Sequence, residues 1–281
     1  MKRYQIVLVI ICSFTIRTAA QEHQPIKPSE LHQRISTQIA KSIQTMNEET
    51  KRDGADKKPR HETIYVSEKH GVVSNDHKET VETEEERSVV SNLLRLTEGN
   101  KRFVSGSLKR KDLSSQRAAT ANGQTPFAIV VTCSDSRVPP ELIFDESIGQ
   151  LFVIRLAGNV VDSLALGSIE YAVEHLHAHT LVILGHESCG AVKATIAGGT
   201  VPPNIGSIVR RIAPAVAKVR EKKTEEKELL SECIKENVHG QIGLTMKMSP
   251  ILFDAMVKGE LLVLGGIYDL ASGKVRFLTG E

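Results

Sequence analysis

The chain has no tryptophan, and its aromatic share is only 4%, so no site in it is built on an indole. It also lacks a strong net charge of either sign. Its 36 Lys and Arg face 34 Asp and Glu, a formal +2, which offers no case for nucleic-acid binding. No long hydrophobic run is present. The most apolar stretch, residues 6–16, is interrupted by Ser13 and Thr15 and is too short to cross a bilayer comfortably. No internal repeat is visible. What remains is 281 residues, 40% hydrophobic and 25% charged, enough for one sizeable domain plus extra segments.

The N-terminus has the layout of an export signal. Lys2 and Arg3 form a basic start, the apolar run follows, and Thr18-Ala19-Ala20 supplies small residues for cleavage. Residues 1–20 are therefore expected to be a signal peptide, with a retained anchor as the competing reading. Cys12 follows Ile10-Ile11 rather than small residues, which argues against a lipid-modified cysteine. Removing residues 1–20 takes away Lys2, Arg3 and Arg17 and no acids, turning the formal charge from +2 to −1. The mature protein is expected outside the cytoplasm, periplasmic or secreted, with no stable membrane association.

Residues 21–87 are polar and charged, with runs such as Glu82-Thr83-Glu84-Glu85-Glu86. Such a composition buries too little surface to offset chain entropy, so a mostly disordered extension is expected. Leu31, Ile35, Ile39 and Ile43 recur at helical spacing and could form an isolated or docking helix. Folded sequence is expected from residue 88 to residue 281.

Two segments in that part carry chemistry: Cys133-Ser134-Asp135-Ser136-Arg137 and His186-Glu187-Ser188-Cys189-Gly190. Each follows a short β-branched run, residues 127–131 and 181–184, of the kind that forms buried parallel strands. Open α/β sheets place ligands at the carboxyl ends of such strands. Two thiolates and an imidazole make a Cys2His set for zinc, leaving a fourth tetrahedral position open. Asp135 lies two residues after Cys133, so in an extended loop it points the same way. Arg137 can hold that carboxylate bidentately and keep it ionised. Buried core cysteines or a Cys133–Cys189 disulfide are the bland alternatives. Neither explains a His three residues before one Cys, nor an Asp and an Arg just after the other.

These two motifs resemble the signature of the β-class carbonic anhydrases: Cys-x-Asp-Ser-Arg followed by His-x-x-Cys-Gly-Ala-Val. The resemblance continues through residues 152–159 and 168–173 and through Gly265-Gly266-Ile267-Tyr268. It implies an α/β fold with a central, mostly parallel β-sheet flanked by helices. It implies one Zn2+ per chain on Cys133, His186 and Cys189, and reversible hydration of carbon dioxide to bicarbonate and a proton by zinc-bound hydroxide. Asp135 would orient that hydroxide or close onto the metal, and Arg137 would hold Asp135. Gln124, Phe152 and Tyr171 match the positions that line the carbon dioxide pocket in plant-type members. Part of that pocket comes from a second copy, so a homodimer or a higher even oligomer is implied. The segment Glu98 to Phe103 resembles the family's N-terminal helix, which packs on the partner. One departure stands out: some bacterial members place Trp three residues before the first Cys, in an inhibitory bicarbonate site. Here Val130 occupies that position, while the strand-two Arg, Arg155, is kept. Rival functions are a zinc hydrolase of CS2 or COS on the same scaffold, or a scaffold protein without activity.

Around the motifs, a helix is expected to begin near residue 88 and end at Gly99. A strand is expected over 151–156 and a helix over 163–176. Another helix follows over 188–197, then a long helical region over 205–248 that Pro214 kinks. Strands are expected over 261–264 and, as a sheet edge, over 274–277. His175, His177 and His179 cluster in sequence but no Cys or carboxylate completes a ligand set, so they read as surface residues. Cys233 reads as a small apolar core filler.

Overall fold

The computed structural model describes residues 84–278, with side chains described from Ser91 onward. The expected signal peptide, most of the expected 21–87 extension and the Leu31–Ile43 stripe lie outside the described residues.

Five strands form one sheet: β1 (Ala128–Thr132), β2 (Leu151–Arg155), β3 (Thr180–His186), β4 (Leu262–Tyr268) and β5 (Val275–Leu278). Their order is β2-β1-β3-β4-β5. The first four are mutually parallel, and β5 pairs antiparallel with β4 at the edge. The sheet is thus the mostly parallel, helix-flanked one expected. From β1 the chain adds β2 on one side and β3 on the other. The strand order reverses between β1 and β3, and ligand crevices form at the carboxyl end of such a switch point.

The central strands are buried on both faces because successive side chains alternate. Ile129, Val131, Leu181, Ile183 and Val263 join one apolar cluster. Ala128, Val130, Val182, Leu184, Leu262 and Leu264 join the other. Burying each of the larger aliphatic side chains stabilises the fold by about 1.5–3 kcal/mol. Val130 therefore packs in the core.

The first face is covered by α4 (Ser163–Glu174), α5 (Gly190–Ala197), α6 (Pro203–Glu221), α7 (Glu226–Met248) and α8 (Pro250–Lys258). The expected long helical region is thus two helices, α6 and α7. Pro214 lies inside α6, which runs on through it. Cys233 is fully buried on α7, as a core filler should be. Helix α7 lies close on β3 because Gly185 has no side chain: a Cβ there would meet Val238 Cγ2 at 2.7 Å.

The second face is covered by α1 (Glu84–Val104) and α3 (Pro140–Ile143), while α2 (Leu113–Ala119) is a short helix with no buried residue. Helix α1 is already formed at Glu84, four residues before the expected start, and does not stop at Gly99. Gly99 instead marks a close approach: a Cβ there would stand 1.8 Å from the Phe144 carbonyl oxygen. One residue on, Asn100 donates to Ile143 O and Gly273 O and accepts from Val275 N–H, tying α1 to α3 and β5. No described helix is long and apolar enough to cross a membrane.

Candidate metal centre

Cys133 is the residue after β1, and His186 is the last residue of β3. Thr132 pairs with both Leu184 and Arg155 in the sheet, and its hydroxyl donates to Leu184 O at 2.9 Å. The strand ends are therefore fixed relative to one another before any side chain is considered. A turn through Ser188, with φ +55°, brings Cys189 back to the N-cap of α5. Cys133, His186 and Cys189 are all buried, and their ligand atoms lie within 4.8 Å of one another. The expected ligand set is thus one cluster.

The donor set fits zinc in its chemistry as well. His186 Nδ1 lies 2.9 Å from Glu187 O. A carbonyl only accepts, so Nδ1 carries the proton and Nε2 presents its lone pair, the tautomer that metal-bound histidines adopt. Nε2 is buried and has no hydrogen-bond partner. Buried polar atoms are rarely left so, and a cation between the two sulfurs answers it. The Cys133 thiol is pushed down, first by its hydrogen bond with Cys189 and further by the Gly158 and Asp135 N–H groups. The Cys189 thiol is pushed up by that same pairing with Cys133 and by burial.

Asp135 and Arg137 form the expected pair. Arg137 Nε and its terminal nitrogen donate to Oδ1 and Oδ2 of Asp135 at 2.9 and 2.7 Å. The Asp135 carboxyl is held well below the ordinary carboxylate range, chiefly by that Arg137 side chain. Its Oδ2 lies 4.0 Å from His186 Nε2, so the carboxylate faces the cluster. The aromatic members of the expected pocket also meet: the rings of Phe152 and Tyr171 have centroids 6.4 Å apart. Tyr171 is 50% exposed. Gln124 is exposed on the loop before β1 and packs beside Gly149. His175, His177 and His179 are all exposed, as expected.

Several supporting groups escape a reading of the sequence. Arg155 donates to Cys133 O at 3.1 Å and Asp135 O at 2.5 Å, clamping the loop that bears both residues. Gly158, in a short 3-10 turn at Ala157–Asn159, donates its N–H to Cys133 Sγ at 3.2 Å. Asn237 of α7 donates to Gly158 O. The only hint was compositional: Asn237 and Gln241 interrupt the buried stripe of Ile234, Val238 and Ile242.

A model of the carbonic anhydrase family matches residues 128–275, which includes every residue of this cluster. Carbonic anhydrase 2 of Mycobacterium tuberculosis is 40% identical over 184 residues, covering 64% of this chain and 87% of that protein. Among solved structures, the β-carbonic anhydrase of Coccomyxa in complex with acetazolamide superposes with TM-score 0.52 at 29% identity, over 68% of this chain and 88% of that one. One of two tetrameric β-carbonic anhydrases of the fungus Sordaria macrospora superposes with TM-score 0.53 at 26% identity, over 59% and 90%. The chain belongs to the β-class carbonic anhydrases, zinc enzymes that interconvert carbon dioxide and bicarbonate.

Proposed function

We propose that this chain hydrates carbon dioxide with one zinc ion held by Cys133 Sγ, His186 Nε2 and Cys189 Sγ. The observation that carries the reading is three converging ligand atoms with an ionised, arginine-held carboxylate beside them. Bound there, zinc would supply the Lewis acidity that makes water a good nucleophile near neutral pH, where free water, with a pKa of about 15.7, is a poor one.

The side chains divide the remaining work. Asp135 accepts the hydrogen bond of the attacking nucleophile, which aims its lone pair away from the carboxylate and towards carbon dioxide. Arg137 keeps Asp135 charged and fixes its direction. Phe152 and Tyr171 form an apolar wall that suits an uncharged, nonpolar substrate. Gln124 donates its amide to a substrate oxygen. In the single chain Gln124 and half of Tyr171 are open to solvent, which supports a pocket completed by a second copy and hence a homodimer or larger even assembly. The Sordaria proteins, described as tetrameric, support self-association too.

The test is zinc content measured beside stopped-flow carbon dioxide hydration on the purified full chain. About one zinc per chain with turnover supports the reading; a zinc-loaded protein without turnover overturns it.

We also propose export to the periplasm or the extracellular space, with a polar extension preceding a catalytic domain at residues 88–281; the basic, apolar and small-residue layout of residues 1–20 supports this. Sequencing the N-terminus of native protein checks this. A start near Gln21 is expected, and an intact Met1 or Lys2 contradicts it.

A further inference from the structure

We propose that Asn237 and Gln241 are positioning residues of the metal centre, holding the Gly158 N–H on the sulfur of Cys133. The inference rests on the ligand assignment above.

The two amides sit one helical turn apart on α7, 1% and 2% exposed. Asn237 Nδ2 donates to Gly158 O at 2.9 Å. Gln241 Nε2 donates to Asn237 Oδ1 at 3.1 Å, and Gln241 Oε1 accepts from Val161 N–H at 2.8 Å. Gln241 therefore fixes which way round the Asn237 amide lies, so that its NH2 faces Gly158. A carbonyl oxygen there would repel Gly158 O. Gly158 is pinned at both ends, its C=O by Asn237 and its N–H by Cys133 Sγ. Between those ends it takes the left-handed conformation, φ +70° and ψ 24°, which is open mainly to glycine.

Burying two amides is costly unless every polar atom is satisfied. An apolar α7 would leave Gly158 C=O and Val161 N–H buried without partners, so the amides hold the backbone beside the cluster rather than merely fill space. Through Gly158 that hold extends to the sulfur of Cys133. Two thiolates neutralise much of a zinc ion's charge and weaken its action on water. An N–H on the sulfur withdraws electron density from the metal–sulfur bond and fixes the sulfur's direction. Supporting contacts of this kind typically change metal affinity by about 10–100-fold when removed.

The full chain is loaded with cobalt(II), whose sulfur-to-cobalt charge-transfer band reports electron donation by the thiolates, and zinc affinity is measured by competition with a chelator. For Asn237→Leu we expect the band to move to lower energy and zinc affinity to fall about 10-fold. Gln241→Met should move both in the same direction by less. Ile242→Ala, on the next position of the same helix, opens a cavity and lowers stability but should leave band and affinity at wild-type values. Should Asn237→Leu fail to fold, Gln241→Met decides. Unchanged band and affinity in a folded amide variant overturn the proposal, as does an equal shift in Ile242→Ala. Failure of the ligand reading looks different: the wild type itself would bind no stoichiometric zinc, or His186→Ala would keep it.

Discussion

Arg137 binds Asp135 through three donors: two side-chain nitrogens span both carboxylate oxygens, and the Arg137 N–H reaches Oδ1 at 3.0 Å. Two residues apart, they form a closed unit that keeps the carboxylate charged and aimed at the cluster. We predict that Asp135→Asn retains zinc and loses about 100-fold or more in turnover, the scale on which positioned proton-handling groups act. Hydration rates close to wild type would remove Asp135 from the mechanism.

Arg155 acts on the same loop from the neighbouring strand. Its two donations to the Cys133 and Asp135 carbonyls fix where the loop leaves β1. Arg155→Met keeps the stem and removes both bonds. We expect zinc to stay bound and turnover to fall about 10-fold or more, since small misplacements of reacting groups are costly. Arg155→Lys should recover part of the loss. A methionine variant with full turnover would show that the clamp is dispensable.

Asp145 gives a prediction in pH. It is fully buried, and burial alone would raise its carboxyl. Arg102 at 2.6 Å, Lys111 at 2.9 Å and the Lys109 N–H outweigh that and bring it down to about 2. The folded value lies below the unfolded one of about 3.9. The ionised group therefore stabilises the fold above about pH 4, and that contribution is lost as pH falls towards 2. Urea midpoints of wild type and Asp145→Asn should differ most near pH 6, draw together below about pH 4 and converge only towards about pH 2. A gap that stays constant over that range would mean the charge is not the source of the stability.

Gly99 tests the packing of α1. An added methyl would collide with the backbone of Phe144 rather than with a flexible side chain. Alanine has the higher helix propensity, by about 1 kcal/mol, so propensity alone predicts a gain. We predict instead a loss of about 2 kcal/mol, in the range for overpacking, seen as a thermal midpoint several degrees lower. A rise in the midpoint would show that α1 shifts freely.

That same glycine shows where the sequence stops being informative. In the sequence, Gly99 reads as a helix stop because helix ends favour glycine; its real constraint is a backbone 45 residues away in the chain. The strands and the ligand motifs were legible because their signals are local: β-branched runs, a His-x-x-Cys turn, an Asp and Arg two and four residues after Cys133. Arg155 was visible as a residue but not as a clamp, since its contacts depend on the register between β1 and β2. Asn237 and Gln241 reach the metal centre only through the packing of α7 on β3, so no spacing near the ligands could announce them. The break between α6 and α7 falls in a run of Lys and Glu with neither glycine nor proline, the usual stop signals.

The register between β1 and β3 has one more consequence. Cys133 and His186 are carried by the ends of two adjacent central strands, locked by pairs such as Thr132 with Leu184. Sliding one strand past the other by a single residue would displace a ligand by about 3.3 Å, while metal–ligand distances hold to about 0.2 Å. Zinc occupancy is therefore a gauge of how the sheet is threaded. A variant with intact helices and a slightly mis-threaded sheet would look folded by most optical probes, yet the metal would report the fault at once.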